Sequence, residues 1–227
     1  MPSPQEELDR VAADVPYESL ARSFLEFDRP AGDDPLELVA TAAVTTTGQA
    51  ATAVEPTLES FRTSVLEPAG VTSFADLADL GVDDAGLADA FGAERNRHVL
   101  LEIAAVLADR QEPTDLEALC GWAAEADAYR YDADPIGEIS GVGPASFQFL
   151  RQLAGLETAK PDPALAALLE DVAAASGCDV IETDDPLRRL ASCEYLALTT
   201  SYSMLEIDQV AWWLEADEGD RAAVAGS

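Results

Sequence analysis

The residues whose types and spacing could do chemistry lie between Ile139 and Asp162. There, a Gly141-Val142-Gly143 turn joins a short apolar segment to an amphipathic helix that opens at Pro144. Glycine permits positive φ and close approach of the backbone, and the N-terminus of the following helix offers free amides and the positive end of its dipole. The pattern predicts a cradle for a phosphate oxygen, although a tight turn between two packed helices would need the same glycines.

Asp162 stands beyond the second helix of this turn and directly before Pro163. An aspartate in front of a helix-opening proline is typical of an N-cap, in which the carboxylate accepts backbone amides of the next helix. A carboxylate in such an amide environment stays ionised, so the same residue could also stabilise positive charge on a ligand. The spacing alone leaves both roles open.

The charge of the chain argues against a nucleic-acid partner, but the acids are unevenly placed. The formal net charge is −31, from 44 acids and 13 bases. Residues 141–160 hold Arg151 and Lys160 against Glu157, whereas an average window of that length would carry about −3. A second acid-free run, residues 38–54, contains Gln49, and burial of a helix explains that run equally well.

Composition also predicts the cellular setting. Acids are spread along the whole chain, which has many alanines and a single lysine, and this composition resembles that of haloarchaeal cytosolic proteins. At about 1 M salt the Debye length falls to roughly 3 Å, so such a surface stays folded and soluble. The first residues do not resemble a secretory signal, and no apolar run is long enough to span a membrane. We expect a cytoplasmic protein.

The cysteines predict no cofactor. Cys120, Cys178 and Cys193 are odd in number and widely separated, and none belongs to a C-x-x-C pair. This spacing argues against a disulfide framework, a zinc site and an iron-sulfur cluster. All three residues are therefore interpreted as packed thiols.

The elements that must position the turn and the aspartate are helices. Asp34 precedes Pro35 as a cap, and capping boxes open at Thr114 and Ser203. No segment shows sustained period-two alternation, so the pattern predicts an all-α fold of roughly ten helices with a frayed tail at residues 215–227. Gln148 falls on an exposed face, and aromatic residues at helical spacing are core residues unless a pocket reaches them.

Taken together, these residues resemble the helix-hairpin-helix DNA glycosylase superfamily, the endonuclease-III-like fold of base-excision repair. The likeness covers about residues 35–214 and includes a glutamine loop at Gln49. The resemblance implies a two-lobed helical fold with a cleft between its lobes. Residues 35–155 would form a six-helix barrel that carries the hairpin, and residues 1–34 and 156–227 would form a second helical unit.

The resemblance also implies roles for individual residues. Asp162 would be catalytic, stabilising the positive charge that develops on the sugar as the glycosidic bond breaks. DNA would be bound by residues of the hairpin, by two cations and by the glutamine loop: Gly141, Val142, Gly143, Ala145, Ser146, Arg151, Lys160 and Gln49. The family allows a monovalent cation at the hairpin.

Departures from the family pattern narrow the expected activity. Ala145 occupies the position at which lyase members carry a lysine, so no Schiff-base nucleophile is expected there. Pro163-Ala164 stands where relatives often have a histidine, which leaves open whether the protein is an active enzyme. The first interpretation is a monomeric, monofunctional DNA N-glycosylase-like repair protein that flips and releases a damaged or mispaired base. The alternatives are a non-catalytic DNA-binding module and a protein-interaction module on the same fold.

Overall fold

The computed structural model describes residues 1–46 and 51–225, and this part of the chain contains helices and no strand. The all-α prediction is therefore confirmed for the described residues. The α-helices are α1 Pro4–Ala12, α2 Tyr17–Leu25, α3 Pro35–Thr45, α4 Val54–Phe61, α5 Glu67–Ala69, α6 Phe74–Ala78, α7 Ala85–Ala90, α8 Glu94–Ala108, α9 Asp115–Glu125, α10 Pro144–Leu153, α11 Pro163–Ser176, α12 Pro186–Thr199, α13 Met204–Glu215 and α14 Glu218–Ala225. Shorter helical turns span Ala51–Ala53, Arg62–Leu66 and Ala128–Ala133.

Side-chain caps set the start of most of the long helices. Asp34 accepts the amides of Leu36 at 2.9 Å and Glu37 at 3.1 Å, as the Asp-Pro pattern predicts. Thr114 accepts the amide three residues on at 3.2 Å, and Ser203 forms a full capping box. These caps satisfy amides that have no partner inside their helices, so the predicted helix starts are confirmed.

Two clusters of buried apolar side chains organise the fold. The first includes α3, in which all nine residues from Leu36 to Val44 are buried, and extends through α4, α6, α8, α9 and α10. The second joins α1, α11, α12 and α13. Ala21 and Phe24 of α2 belong to the first cluster, whereas the resemblance implied that residues 1–34 belong to the second helical unit.

The tail differs from the sequence-based expectation. Residues 218–225 form α14 instead of fraying. Arg221 donates to the carbonyls of Trp213 at 2.8 Å and Leu214 at 3.2 Å, which are otherwise free at the end of α13. Asp220 accepts the amide of Thr52 at 2.9 Å, so α14 is also fastened to the Ala51–Ala53 turn.

None of the helices in the described ranges has the length and apolar character that a membrane crossing requires.

Candidate functional site

The predicted hairpin is a tight backbone structure, but its first arm is not a regular helix. Residues 135–141 form successive turns, and the amide of Val142 donates to Ile139 at 2.9 Å. Gly141 has a φ of 111°, and a Cβ there would lie 3.0 Å from Arg95 Nε and from Val99 Cγ2. Positive φ and this close approach together require glycine at position 141.

The backbone at Gly143, by contrast, does not require glycine. Its backbone is extended, with φ −115° and ψ −179°, which any residue adopts, and a Cβ would meet nothing within 4 Å. It is the N-cap of α10, and no side chain caps that helix. The amides of Ala145 and Ser146 in the first turn therefore have no side-chain cap, and binding of a phosphate oxygen there stays a prediction.

Beside this helix end lies a cavity of about 350 Å³. The first cluster contributes α2, α3 and α10 to its walls, the second contributes α13 and residues 160–163, and α14 covers one side. Its aromatic walls include Phe24, Phe149 and Trp212. Four predicted site residues line it: Ala145, Ser146, Lys160 and Asp162. The structure thus brings the start of α10 and the start of α11 to one cleft.

Lys160 and Asp162 form an ion pair in the cleft, with Nζ 2.9 Å from Oδ2. The ammonium also lies 5.3 Å from the centre of the Phe149 ring. The other oxygen of Asp162 accepts the amide of Leu165 at 3.1 Å and caps α11. Both carboxylate oxygens therefore have a partner, and the N-cap role is confirmed.

Arg151 is not a surface cation, which argues against the predicted contact of this residue with DNA. Only 9% of the residue is exposed. Its guanidinium donates to the carbonyl of Ala123 at 3.0 Å, near the end of α9, and to Gln148 Oε1 at 2.8 Å. Burial lowers the pKa of Arg151. Gln148 was predicted to be exposed but is 1% exposed, because it forms part of this internal polar contact.

Sequence reasoning missed Asp208, which lies deep in the cleft. It is 4% exposed, and three N–H groups donate to its carboxylate: the Lys160 amide at 2.7 Å, Gln209 Nε2 at 2.9 Å and Gln152 Nε2 at 3.1 Å. Burial, together with the nearby Asp162 carboxylate, raises the pKa of Asp208 to about 7, against the lowering influence of the Lys160 ammonium and of the hydrogen bonds from the Lys160 amide and Gln152. A signal was present, because Asp208 stands three residues after Leu205 on the buried face of α13.

Two arginines near the cleft were also missed. Arg95, exposed at the start of α8, donates to the carbonyl of Gly141 at 3.0 Å and places a cation beside the hairpin. Arg29 lines the cavity with its Cζ 4.0 Å from the centre of the Phe24 ring, and burial lowers its pKa to about 10. No carboxylate within the described ranges forms an ion pair with Arg29.

The other predicted site residues either lie beside the cavity without lining it or fall outside the described residues. Gly141, Val142 and Gly143 form the hairpin next to the cavity but do not line it. Gln49 lies outside the described residues, as does the rest of residues 47–50. Within the described ranges no group of three histidine, cysteine or carboxylate side chains is arranged to hold a metal. The monovalent cation at the hairpin stays a prediction.

Comparison with known proteins found no matching family model, no matching curated protein and no matching solved structure.

Proposed function

We propose that the protein binds DNA at the Gly141–Ser146 hairpin and acts as a monofunctional DNA N-glycosylase-like repair protein. The observation that carries the proposal is the position of Asp162. Its carboxylate lines a cavity of about 350 Å³ whose rim includes the uncapped first turn of α10. An anion site and an ionisable carboxylate thus share one cleft, as binding of a nucleotide's phosphate and reaction at its sugar require.

The cavity suits an extruded base in size and lining. Its volume is at the lower end of the range of about 300–1,000 Å³ that is typical of small-molecule sites. Phe149 and Trp212 line it. Aromatic residues at helical spacing were expected to be core residues unless a pocket reached them, so these two side chains are the ones assigned to contact with a base. Enzymes that act on a base take it out of the stack and hold it between aromatic or apolar side chains.

The proposed chemistry uses the charge of Asp162. As the bond between C1′ and the base nitrogen breaks, its electron pair leaves with the base, and positive charge develops on the sugar. A carboxylate at that position stabilises this charge. Water then adds to C1′, and the proton that it loses neutralises the departing base, so the products are the free base and an abasic sugar. To meet the sugar, Asp162 Oδ2 would exchange its contact with the Lys160 ammonium for the substrate, while Oδ1 keeps its hold on Leu165.

The contacts of Asp162 also favour a second candidate, a non-catalytic DNA-binding module. Both oxygens already have protein partners, so the residue has a complete structural role without substrate. The cavity is lined by four acids, Asp28, Glu55, Asp162 and Asp208, against Arg29 and Lys160. Phosphate contacts are therefore assigned to the rim, at the amides of α10 and at Arg95.

Two assays on the full chain separate these candidates. The first measures affinity for duplex oligonucleotides as a function of salt, wherever the protein is folded. With few side-chain cations at the hairpin, we expect a log–log slope of about −2 to −3. The second measures base release from duplexes that carry damaged or mispaired bases. Binding with release supports the glycosylase, binding without release supports the module, and no binding at any such salt overturns both.

A chemical trap tests the monofunctional part of the proposal. Ala145 offers no amine, and the Lys160 ammonium, paired with Asp162, has no free electron pair for attack on an abasic sugar. We expect borohydride to trap no covalent adduct with abasic DNA. A trapped adduct would contradict this, and Lys160, the only lysine of the chain, would then be the side-chain amine to examine.

A further inference from the structure

We infer that Arg29 binds a phosphate group of the nucleotide that enters the cleft, inside the cavity and in addition to the contacts at its rim. The inference rests on the proposed function for the identity of the ligand as a nucleotide, and it assigns a further residue to the binding of that ligand. It is carried by the surroundings of Arg29, a cation that lines the cavity and has no carboxylate partner among the described residues.

Most N–H groups of the Arg29 guanidinium have no acceptor in the protein. Its Nη1 donates to the hydroxyl of Ser23 at the long distance of 3.4 Å. Within the described ranges, no other hydrogen bond joins this guanidinium to the chain. A guanidinium carries N–H groups on all of its nitrogens, so Nε and Nη2 are left to donate to water or to a ligand.

These N–H groups are accessible from outside the protein. Arg29 is half-buried. Among the described residues, the fully buried side-chain nitrogens and oxygens without a partner are Gln148 Nε2 and Gln152 Oε1. Because Nε and Nη2 of Arg29 are not in that set, both atoms keep surface that a ligand can reach. Arg29 lines the cavity, so a group held in the cavity can meet this edge of the guanidinium.

One face of the guanidinium rests on the ring of Phe24, with Cζ 4.0 Å from the ring centre. Phe24 is buried and packs edge-on against Phe149, with the ring centres 6.2 Å apart. A stacked guanidinium is held in one plane, and its N–H groups point outward in that plane. This fork matches two oxygens of a phosphate. A base carbonyl or ring nitrogen would satisfy a donor but would leave the charge unpaired.

The charge of Arg29 is not cancelled by the acids of the cavity. Burial lowers the pKa of Arg29, and no nearby carboxylate raises it again. None of the four acids that line the cavity forms an ion pair with Arg29, and Asp162 has Lys160 as its own partner. Removing a cation from water without a counter-ion is costly. An anionic group on the ligand would relieve that cost.

The backbone that presents Arg29 is strained at one residue. Phe27 has a φ of 55°, and in the described part of the chain no other residue except glycine has positive φ. The amide of Asp28 donates to the carbonyl of Ser23 at 2.9 Å, which ends α2 in a turn that glycine usually closes. The ring of Phe27 packs on Gly155, where an added Cβ would lie 3.2 Å from Phe27 Cζ. Strain of this kind collects at ligand sites, and here it lies in the segment that places Arg29 in the cavity wall.

Nucleotides with a phosphate at both the 3′ and the 5′ position test the inference without catalysis. The probes are the 2′-deoxynucleoside 3′,5′-bisphosphates of the common bases, and the free 2′-deoxynucleosides serve as their phosphate-free counterparts. Calorimetry or equilibrium dialysis with the full chain gives the dissociation constants at one salt concentration at which the protein is folded. Hydrogen bonds to charged groups contribute about 10- to 100-fold in affinity. We expect Arg29→Met to weaken bisphosphate binding by that factor and to leave nucleoside binding unchanged.

Two further variants locate the effect. Arg22→Met removes the same charge from an exposed position on α2 that does not line the cavity, and it should bind bisphosphates like the wild type. Gly143→Leu obstructs the hairpin amides instead. In that background Arg29→Met should cause the same further loss, because the two contacts are separate.

Stability gives a second measurement. Methionine can still pack on the ring of Phe24 and needs no counter-ion, so Arg29→Met should leave the unfolding midpoint unchanged or raise it. If Arg29→Met does not fold, Arg29→Lys takes its place in the binding assay. Lysine keeps the charge but not the fork, so this variant should show a smaller loss in the same direction.

Specific outcomes overturn the inference. Equal bisphosphate affinity in the wild type and in Arg29→Met would do so, as would an equal loss for the free nucleosides or no bisphosphate binding up to millimolar concentration. Base release from DNA by a chain that gives any of these results would keep the proposed glycosylase and lose this site. Conversely, bisphosphate binding that depends on Arg29 in a chain that releases no base would keep the site and lose the glycosylase.

Discussion

The amide of Lys160 donates to Oδ1 of Asp208 over 2.7 Å, although 48 residues separate the two in the chain. This bond fastens the segment before α11 to the buried face of α13. Lys160 in turn reaches Asp162 through its side chain. The position of Asp162 in the cleft therefore depends on α13 as well as on its own helix, and Asp208 has a positioning role whatever ligand the cleft takes.

Replacing Asp162 by asparagine separates its capping role from a catalytic one. Asparagine caps nearly as well as aspartate, and a partly exposed ion pair contributes little, so the free energy of unfolding should change by less than about 1 kcal/mol. Loss of the charge should lower the rate of base release by on the order of 100-fold. Single-turnover release and denaturant unfolding measure the two effects.

Asp185 provides a matched control for that experiment. It precedes Pro186 and caps α12 through the amides of Leu187 at 2.9 Å and Arg188 at 3.3 Å, and it does not line the cavity. Asp185→Asn should leave base release unchanged. If Asp162→Asn also releases base at the wild-type rate, Asp162 is only a helix cap.

Gly143→Leu tests the hairpin as an anion site. The backbone at Gly143 suits any residue and a Cβ there meets nothing within 4 Å, so the variant should fold normally. Its side chain would obstruct approach to the uncapped amides of α10. We expect DNA affinity to fall about 10-fold or more, at every sequence, in a fluorescence-anisotropy titration. Gly81→Leu, where a Cβ also meets nothing within 4 Å, is the control and should bind like the wild type.

Substitution of Arg95 should affect DNA binding, whereas substitution of Arg151 should affect stability. Arg95 is exposed beside the hairpin, so Arg95→Gln should weaken DNA binding and make the salt slope shallower by about 1. Arg151 is buried against α9, so Arg151→Gln should cost about 1–3 kcal/mol of stability and leave the slope unchanged. A slope that changes with Arg151 and not with Arg95 would contradict the assignment of the two residues.

The residues that could be predicted from the sequence are those whose signal is local. Asp34, Thr114 and Ser203 cap helices a few residues away, and the apolar run from Leu36 to Val44 is long enough to require burial. The turn at Gly141 and the helix cap at Asp162 could be predicted for the same reason, because the residues that signal them are also close in the chain. These features depend on backbone chemistry within one or two turns.

The residues that could not be predicted depend on partners far away in the chain. Arg151 has the type and position of a surface cation, but its side chain satisfies a carbonyl of α9, 28 residues earlier. Asp208 is one acid among 44, and its burial follows from donors on α10 and on the segment before α11. Helical periodicity shows which face a residue occupies but not which polar groups meet it there.

The buried carboxyl group of Asp208 should make stability depend on pH. Its pKa is raised from an ordinary value of about 3.9 to about 7, so the folded protein holds this proton more tightly than the unfolded chain does. The stability that Asp208 contributes is thus complete below about pH 4 and is lost as the pH rises to about 7. The loss should amount to a few kcal/mol.

Asp208→Asn isolates this contribution from that of the other acids. Denaturant unfolding at constant salt gives the stability of the wild type and the variant at each pH. The wild type minus the variant should decrease as the pH rises from about 4 to about 7 and then level off. Parallel curves for the two proteins would show that the hydrogen bonds from Lys160, Gln152 and Gln209 keep the carboxylate ionised throughout.

A hydrogen bond to the Thr52 amide should help to hold the C-terminal helix, α14, at the wall of the cleft, beside the bonds that Arg221 makes to the end of α13. Ala223 and Val224 of α14 line the cavity, and Asp220 accepts the amide of Thr52 at 2.9 Å. Asp220→Ala removes that acceptor, and a net loss of about 1 kcal/mol corresponds to several-fold faster exchange of the Thr52 amide. Hydrogen–deuterium exchange measures this rate. Glu218→Ala, an exposed change on the same helix, should leave the rate unchanged, and equal rates in both variants would show that α14 does not secure the wall in this way.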